Sequence, residues 1–332
     1  MKNILSVLIC FIILPLNLAI AGDDYISLSH ENDNMGGNSD RYYTSGARAT
    51  WFNESIKVPP VIDQMADEIP SFDLNESTSV FYTLGHNLYT PADIKVEEQP
   101  ENDRPWAAFI YGSVGLSTTT QNNSVPDHID ELEFTLGVVG PEAMGKPVQR
   151  FVHKYISGSP DPRGWKNQLD FEPGAIVSWQ RRMPYAWYRS YNDAVHARIE
   201  PNFSVSLGNI YTYAGTGASV ILGSQKHQDT PPRVRPALPG TGVFADNTNL
   251  FDWQVFAGID GRLVGRNIFL DGNTFSNSHS VDKKYLVGDA NAGISLLFGN
   301  TRLSYTLNVR TKEFHGQSEE SIFGSLTLTQ KF

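Results

Sequence analysis

The sequence predicts an all-β protein, a transmembrane antiparallel β-barrel of about 12 strands with a short helix in an extracellular loop. Apolar and polar residues alternate with a period of two over segments of roughly ten residues, the length that a tilted strand needs to cross a bilayer. Tyr and Trp are frequent where these segments end, as in Tyr42-Tyr43 and Trp187-Tyr188, which is typical of aromatic girdles. After residue 21 no apolar stretch reaches about eighteen residues, so no transmembrane helix is expected.

The N-terminal segment has the layout of a secretory signal peptide. Lys2 supplies a positive charge, residues 4–20 are almost entirely apolar, and a small-x-small cleavage site follows at once. The alternative, a transmembrane anchor, is disfavoured because a proline and an asparagine interrupt the apolar run. We therefore expect residues 1–21 to be removed and residues 22–332 to form one barrel domain.

Twelve segments of the mature chain fit the strand pattern. Between Phe251 and Leu263 the odd positions are apolar or glycine, whereas the even positions include Asp252, Asp260 and Arg262. The predicted strands begin near Asp24, Tyr42, Val80, Arg104, Glu131, Phe171, Ser190, Asn202, Leu250, Lys284, Thr301 and Ser318. An even number of strands suits a bacterial outer-membrane barrel.

A soluble β-sandwich is the alternative fold, because its strands also alternate. Strand length and the aromatic girdle favour the membrane barrel. The chain also ends on Phe332. In this it resembles outer-membrane barrels, which present a terminal aromatic residue to their assembly machinery.

Residues 141–156 break the alternation and predict a helix. Pro141 suits a first helical turn, and Pro147 allows a turn between a short first helix and the main one. Gln149 and His153 lie one turn apart on the same side. An apolar face is formed by Val148, Val152, Tyr155 and Ile156. A helix between two membrane strands must lie at the rim, because lipid-exposed backbone at membrane depth is otherwise strand.

Three further stretches are predicted to be rim loops. Residues 54–76, 224–248 and 271–282 are polar, rich in Gly and Pro, or rich in Asn. The last two could also contact a surface partner.

Charge and composition exclude several functional classes. The chain has 26 Lys and Arg against 36 Asp and Glu, a formal net charge of −10. An acidic chain without a basic block lacks the footprint of a nucleic-acid binder. The one cysteine, Cys10, lies in the expected signal peptide, so the mature chain should hold no disulfide and no thiolate metal site. Residues 140–146 match part of a phosphate loop, but Pro147 replaces the required Ser or Thr.

The first predicted hairpin brings two polar clusters side by side. Glu31-Asn32-Asp33-Asn34 ends the first strand, and Asp40-Arg41-Tyr42-Tyr43-Thr44 opens the second. Their carboxylate, amide and hydroxyl oxygens suit a hard cation such as Ca²⁺. No twelve-residue calcium loop is matched, and a turn with solvated acids is the alternative interpretation.

His153 and Arg104 are two further candidates. A neutral imidazole can accept a proton from water near neutral pH, although a lone histidine on a helix can equally be a packing residue. Arg104 follows Asp103 and can clamp a phosphate or steady an oxyanion. The alternative for Arg104 is an ion pair where a strand begins.

Taken in order, these motifs resemble the lipid A deacylases of the outer membrane, the calcium-dependent lipid A 3'-O-deacylase family. The resemblance covers most of the mature chain and is densest from Glu31 to Asp170. The motifs that carry it are Glu31-Asn32-Asp33, Asp40-Arg41-x-Tyr43-Thr44-x-Gly46, Leu84-Gly85-x-x-Leu88-Tyr89-Thr90-Pro91, Asp103-Arg104-Pro105, Gly137-Val138-Val139-Gly140-Pro141, Gln149-x-x-x-His153 and Gly164-Trp165-x-x-Gln168-Leu169. Trp106 and Ala108 depart from the family, which often has Tyr and Gly there.

The resemblance implies roles for individual residues. Five are expected to be catalytic: His153, Asn32, Asp33, Thr44 and Arg104. His153 would be the general base that activates a water. Arg104 would hold a lipid A phosphate or the oxyanion, and Arg41 would be a second contact to the substrate. The expected ligands of Ca²⁺ are Asp33, Asn32, Thr44 and Asp161.

The function that the resemblance implies is Ca²⁺-dependent hydrolysis of an ester-linked acyl chain of lipid A, the 3'-acyloxyacyl chain, by a carboxylic ester hydrolase. The site would lie between barrel wall and loop helix in the bacterial outer membrane, facing the cell surface. Ester hydrolysis without a protein nucleophile needs a deprotonated water, charge stabilisation and a hold on the substrate. The expected partners are lipopolysaccharide and the membrane, and the expected state is a monomer. The alternatives are a small passive channel and a surface-binding barrel that uses residues 224–248.

Overall fold

The computed structural model describes residues 24–37, 41–53, 57–69, 72, 74–122, 125–192, 194–224 and 250–332. The expected signal peptide, residues 1–21, lies outside these ranges, as does nearly all of the predicted loop at 224–248. Within the described residues, no helix is long and apolar enough to cross a membrane.

The strands of the described chain form one antiparallel sheet of thirteen strands. They are β1 (Asp24–Asn32), β2 (Tyr42–Asn53), β3 (Ser79–Thr90), β4 (Ala107–Asn122), β5 (Val125–Val139), β6 (Glu172–Arg182), β7 (Trp187–Asn192), β8 (Val195–Gly208), β9 (Tyr211–Gly223), β10 (Phe251–Asn267), β11 (Leu286–Phe298), β12 (Thr301–Arg310) and β13 (Ser321–Lys331). Twelve close a barrel, because β1 pairs with β13 and β6 pairs with the end of β8. The extra strand, β7, pairs with the start of β8. The predicted barrel is confirmed.

The sequence missed one strand of the barrel, β9. The predicted starts at Ser190 and Asn202 fall instead within β7 and in the middle of β8. In β9 the buried positions include Tyr211 and Tyr213, whereas the outward positions between them and after them are mostly small or threonine. Because the larger residues point inward, the strand lacks the apolar-out pattern that identifies its neighbours.

Elsewhere the wall has the predicted alternation. Along β10, Ile259 and Leu263 are exposed on the outer face, whereas Asp260 and Arg262 are buried inside. Buried charges here are paired: Asp289 lies 2.8 Å from the guanidinium of Arg262 and accepts a hydrogen bond from Arg310 at 2.7 Å. Pairing is what allows a charge to remain in such an interior, because an isolated ion there would lose its hydration without compensation.

The two ends of the barrel differ. The backbone nitrogen of Phe332 donates to the carbonyl oxygen of Asp24, so both described ends of the chain lie at one end of the barrel, here called the terminal end. The opposite end, here called the site end, carries the connections that follow β1, β3, β5, β8, β10 and β12. The predicted loop at 224–248 connects β9 to β10, and its flanking residues lie at the terminal end.

The mouth of the barrel is filled at the site end. A short helix, here α3 (Ile268–Asp271), begins at the Asn267 cap and buries Phe269 completely. The ring of Phe269 stacks on that of Tyr89 with centroids 4.0 Å apart. Two cavities inside the wall measure about 10 and 20 Å³, room for about one water each.

Two segments lie against the outer face of β3, β4 and β5. The lower cover, at the terminal end, comprises the described residues between 57 and 74 and contains helix α1 (Pro60–Asp67). Its Ala66 and Phe72 pack with three outward residues of the wall, Val80, Leu116 and Leu132. A polar rim loop was predicted here; the structure has a helix instead, because a proline starts it and its few apolar residues reach the wall. The upper cover, residues 140–167, lies at the site end.

Candidate active site

The first hairpin forms the oxygen-rich tip that the sequence predicts. The side-chain oxygen of Asn32 accepts from the backbone nitrogen of Asn34 at 2.8 Å, and its amide donates to the carbonyl oxygen of Thr44 at 3.0 Å. Asp33 is buried, and its carboxylate accepts from the backbone nitrogen of Arg41. The structure therefore brings Asn32, Asp33, Arg41 and Thr44 together.

The backbone at this hairpin tip is strained at Tyr42. Tyr42 has a φ of 66°, a left-handed conformation that bulky residues rarely adopt. Its hydroxyl lies 2.8 Å from that of Ser318, and its ring meets Phe314 edge-on. A bulge between Tyr43 and Ser45 then inserts Thr44 as an extra residue. Because a bulge redirects the side chain that it adds, it sets where Thr44 points.

Asn32 belongs to the outer face of the barrel. Strand pairing places it level with Ser45 on β2, Leu88 on β3 and Ala108 on β4. Neighbouring strands lie about 4.8 Å apart, so the backbones of Asn32 and Leu88 are about 10 Å apart. Leu88 and Ala108 pack with Ala143 and Trp165 of the upper cover. The hairpin tip and the upper cover therefore flank β2 on the same outer face.

The upper cover is a broken helix held close to the wall. A 3₁₀ turn at Pro141–Ala143 precedes α2 (Gly145–Val152), and Met144, with a φ of 58°, separates them. The carbonyl oxygen of Ala143 lies 2.7 Å from Nε2 of His86 on β3. A side chain at Gly145 would collide with Trp165 and Ala108, so glycine permits the close approach. The predicted break within this helix is present, at Met144.

Helix α2 and the turn after it bury two polar residues against the protein. Gln149 is 2% and His153 is 5% exposed, whereas Phe151 is 58% and Tyr155 is 65% exposed. The exposed side also carries Lys146, Arg150 and Lys154, so it presents both aromatic and basic side chains.

The tautomer of His153 follows from its partner. His153 begins a π-helical turn, His153–Ser157, and its Nδ1 lies 2.6 Å from the carbonyl oxygen of Pro160. A carbonyl can only accept, so Nδ1 carries the proton and donates it. Nε2 is therefore the nitrogen with the lone pair, the form that a general base requires.

Gln149 is a buried polar residue for which no functional role was predicted from the sequence. Its side-chain oxygen accepts from Nε1 of Trp165 at 2.7 Å, which fixes the orientation of the amide. Its Nε2 is buried and has no hydrogen-bond partner among the described residues. Leaving such a donor unsatisfied costs about 1–3 kcal/mol. The spacing of four from His153 was the available signal, but spacing alone does not show which face is buried.

Arg104 lies elsewhere, inside the mouth of the barrel. It is fully buried, its guanidinium stands 4.7 Å from the ring centre of Tyr89, and Nη1 lies 3.5 Å from a carboxylate oxygen of Glu313. Its Nη2 donates to the carbonyl oxygen of Phe269 at 3.4 Å. This is the ion pair that the sequence offered as the alternative, and its contact to substrate stays a prediction.

Asp161 and Arg41 both form surface ion pairs. Asp161 binds Arg150 of α2 through both carboxylate oxygens, at 3.1 and 3.2 Å. The guanidinium of Arg41 pairs with the exposed Glu319. The assignments of Asp161 to a cation and of Arg41 to substrate stay predictions.

The loop before β4 ties the upper cover down on its other side. Lys166 donates to the carboxylate of Glu97 at 2.9 Å, and the Asn167 amide donates to the carbonyl oxygen of Glu97 at 2.7 Å. The bond from Lys166 lowers the pKa of Glu97.

The types of oxygen atom at the hairpin tip are those that bind a hard cation. Amide, hydroxyl, carbonyl and carboxylate oxygens are the ligands that Ca²⁺ prefers. Among the residues that the structure describes, no group of three or more His, Cys, Asp or Glu side chains could hold a metal ion. Of the described residues at the tip, Asp33 would supply charge to a cation, and Asn32 and Thr44 would supply neutral oxygens.

Comparisons with known proteins agree with this architecture. A family model described as "Outer membrane protein LpxR" matches residues 5–332. The structure of LpxR from Salmonella typhimurium is similar, with a TM-score of 0.76 and 22% identity over 93% of this chain and 100% of that chain. The KdgM porin has a TM-score of 0.38 at 7% identity, over 93% of this chain and 99% of that one. No curated protein matches the chain.

Proposed function

Because the chain belongs to the family of the outer membrane protein LpxR, we propose that this outer-membrane protein is a lipid A deacylase that hydrolyses an ester-linked acyl chain. The proposal rests on two polar groups that are buried in the upper cover. This cover buries a histidine with its tautomer set for proton abstraction and, one turn away, an amide donor without a partner. Burial of these two groups beside the lipid-facing wall suits chemistry on a membrane lipid.

In the proposed reaction His153 is the general base. Its Nε2 takes a proton from a water, and the water oxygen attacks the ester carbonyl carbon. The carbonyl oxygen becomes an oxyanion, and the amide of Gln149 donates a hydrogen bond to it. The ester C–O bond then breaks, the imidazolium returns the proton to the departing sugar oxygen, and a fatty acid and an alcohol result. No acyl-enzyme forms.

The hairpin tip completes the proposed site. Asn32, Asp33 and Thr44 would hold Ca²⁺, which would supply positive charge to polarise the ester carbonyl. The amide of Asn32 donates to the carbonyl oxygen of Thr44, and the Thr44 hydroxyl lies 2.7 Å from that of Thr90 on β3. The 3'-acyloxyacyl chain is the proposed leaving acyl group, and the proposed state is a monomer.

The position of the site fits a substrate that arrives within the membrane. The covers and the hairpin tip lie on the outer face of the wall, so lipid A could enter by lateral diffusion. We place the site end at the cell surface, where lipid A fills the outer leaflet. A passive channel gains no support, because Phe269 and its neighbours fill the mouth. The surface-binding alternative relies on residues 224–248. This loop connects β9 to β10 at the opposite end of the barrel from the upper cover.

Mass spectrometry of lipid A tests the proposal. Cells that make the protein should lose an ester-linked acyl chain from lipid A, and His153→Ala should abolish that loss. His315→Ala is the matched control, because this exposed histidine lies in the loop between β12 and β13. A chelator should suppress the loss and added Ca²⁺ should restore it. An unchanged lipid A spectrum with a folded protein and added Ca²⁺ would contradict the proposal.

A further inference from the structure

The outer wall has a groove below the upper cover. It measures about 550 Å³ and is lined mainly by apolar side chains of β1 to β5. The residues that shape it are Ala49, Trp51, Tyr82, Leu84, Gly112 and Leu136. Its volume lies within the range of small-molecule sites, roughly 300–1,000 Å³.

Small and large residues alternate across the strands to create this groove. Strand pairing sets Ala49, Leu84, Gly112 and Leu136 at one level of the outer face. Leu84 is 71% and Leu136 is 69% exposed, so both project from the wall. Between them the missing side chain of Gly112 leaves a gap, and Ala49 leaves another on the far side of Leu84. The groove is therefore built into the sequence of the wall.

The two covers bound the groove along the strands. Leu88 lies beneath the upper cover, and Val80 lies beneath the lower cover. These two residues of β3 are eight positions apart, a span of about 26 Å. Between them Leu84 is open, whereas Tyr82 packs against the edge of the lower-cover cluster. Among the residues that the structure describes, the two covers leave the groove open.

The groove lies on the same outer face as the candidate site, a short distance along the strands. Asn32 at the hairpin tip and Leu28, which pairs with Ala49, are four residues apart on β1, about 13 Å along the strand. A hydrocarbon chain that descends from an ester at the tip would reach the level of Ala49 and Leu84 within that distance. We propose that this wall groove binds an acyl chain of the same lipid A molecule whose ester is cleaved at the site above. This inference rests on the proposed function.

Shape and attachment would hold the chain, rather than the hydrophobic effect. An acyl chain in the bilayer is already out of water, so transfer to an apolar wall gains little from burial. The gain comes from close contacts in the gaps beside Leu84. Once the headgroup is bound at the site, the chain is tethered beside the groove and binds intramolecularly. The groove therefore orients a bound substrate and selects for chain shape.

Occupancy can be measured without turnover. The His153→Ala protein would be placed in bicelles that contain lipid A with a diazirine at the end of an acyl chain. After irradiation, the cross-linked peptides would be mapped. We expect the label to concentrate on β2 to β5 around Ala49 and Gly112. Label spread evenly around the wall, including Ala257 on the outer face of β10, would overturn the inference. This outcome does not depend on whether the protein is a deacylase.

A substitution that fills the groove with a bulky side chain provides a second test. A Cβ at Gly112 would lie 3.6 Å from Leu84, an ordinary contact, so a side chain can begin there, and the ring of Gly112→Phe would extend into the groove. It should remove the concentrated label and lower kcat/KM for lipid A about tenfold, as expected when a binding pocket loses its fit. Ala257→Phe adds the same ring to the outer face away from the groove and should change neither. Unchanged label and unchanged kcat/KM in Gly112→Phe would overturn the inference even if the wild-type protein releases acyl chains.

Discussion

The upper and lower covers lie on the same three strands, but they are built differently. The lower cover packs Ala66 and Phe72 against apolar wall residues, and each contact buries apolar surface only. The upper cover has a comparable apolar contact at Ala143 and Trp165, and in addition it buries Gln149 and His153. Both cover the wall, yet among the residues that the structure describes only the upper cover contains buried polar groups with defined hydrogen-bond directions.

This difference suggests that the lower cover serves stability and that the upper cover also serves function. Apolar packing alone explains the lower cover, since it removes surface from solvent at each contact. It does not explain the upper cover, where a buried amide lacks a partner for its nitrogen. Such a buried donor is available to a bound ligand. Four predictions sharpen the comparison, in order of decreasing effect on turnover.

The largest expected effect comes from Gln149→Leu. Loss of the proposed oxyanion donor should lower kcat about 10²–10³-fold. The free energy of unfolding should change by less than about 1 kcal/mol, because an unsatisfied buried donor is removed as the bond to Trp165 is lost. Single-turnover acyl release and urea unfolding measure the two quantities. Equal losses of activity and folded protein would instead make Gln149 a packing residue, like Phe72 of the lower cover.

Asp33→Asn tests the hairpin tip. Replacing the one carboxylate of the proposed Ca²⁺ ligands by a neutral amide should raise the Ca²⁺ concentration for half-maximal activity about 10–100-fold. Activity should recover at saturating Ca²⁺, which is measured by titration after chelation. An Asp33→Asn enzyme with the wild-type Ca²⁺ dependence would remove Asp33 from the ligand set.

Phe72→Ala probes the lower cover. Removal of this buried ring should lower the free energy of unfolding by about 3 kcal/mol, because it leaves a cavity over Val80. Turnover by each folded molecule should stay at the wild-type level. Unfolding in urea and kcat per folded molecule, from the same preparation, give the comparison. A selective fall in kcat would show that the covers are not functionally distinct.

Asp161→Asn should have the smallest effect. Its bidentate pair with Arg150 is solvent-exposed, so its loss should cost less than about 1 kcal/mol. Acyl release and the Ca²⁺ titration should match the wild type. A rightward shift of the Ca²⁺ curve like that expected for Asp33→Asn would instead support Asp161 as a ligand, as predicted from the sequence.

The sequence predicts the barrel well because strand alternation is local. It misses β9, where Tyr211 and Tyr213 point inward and invert the pattern. It also predicts a polar loop where α1 lies, since only tertiary contact shows that Ala66 and Phe72 meet the wall. At the site, the hairpin tip follows from strand order. The burial of Gln149 and the interior position of Arg104 could not be predicted from strand order. Both depend on whether a loop lies inside or outside the barrel wall.

The closed mouth has a consequence for the cell that carries this protein. The aromatic cluster around Phe269 and Tyr89 blocks the only route through the cylinder at the site end, among the residues that the structure describes. We expect abundant copies to leave the outer membrane impermeable to dyes and large antibiotics, so a cell could remodel its surface without weakening its barrier.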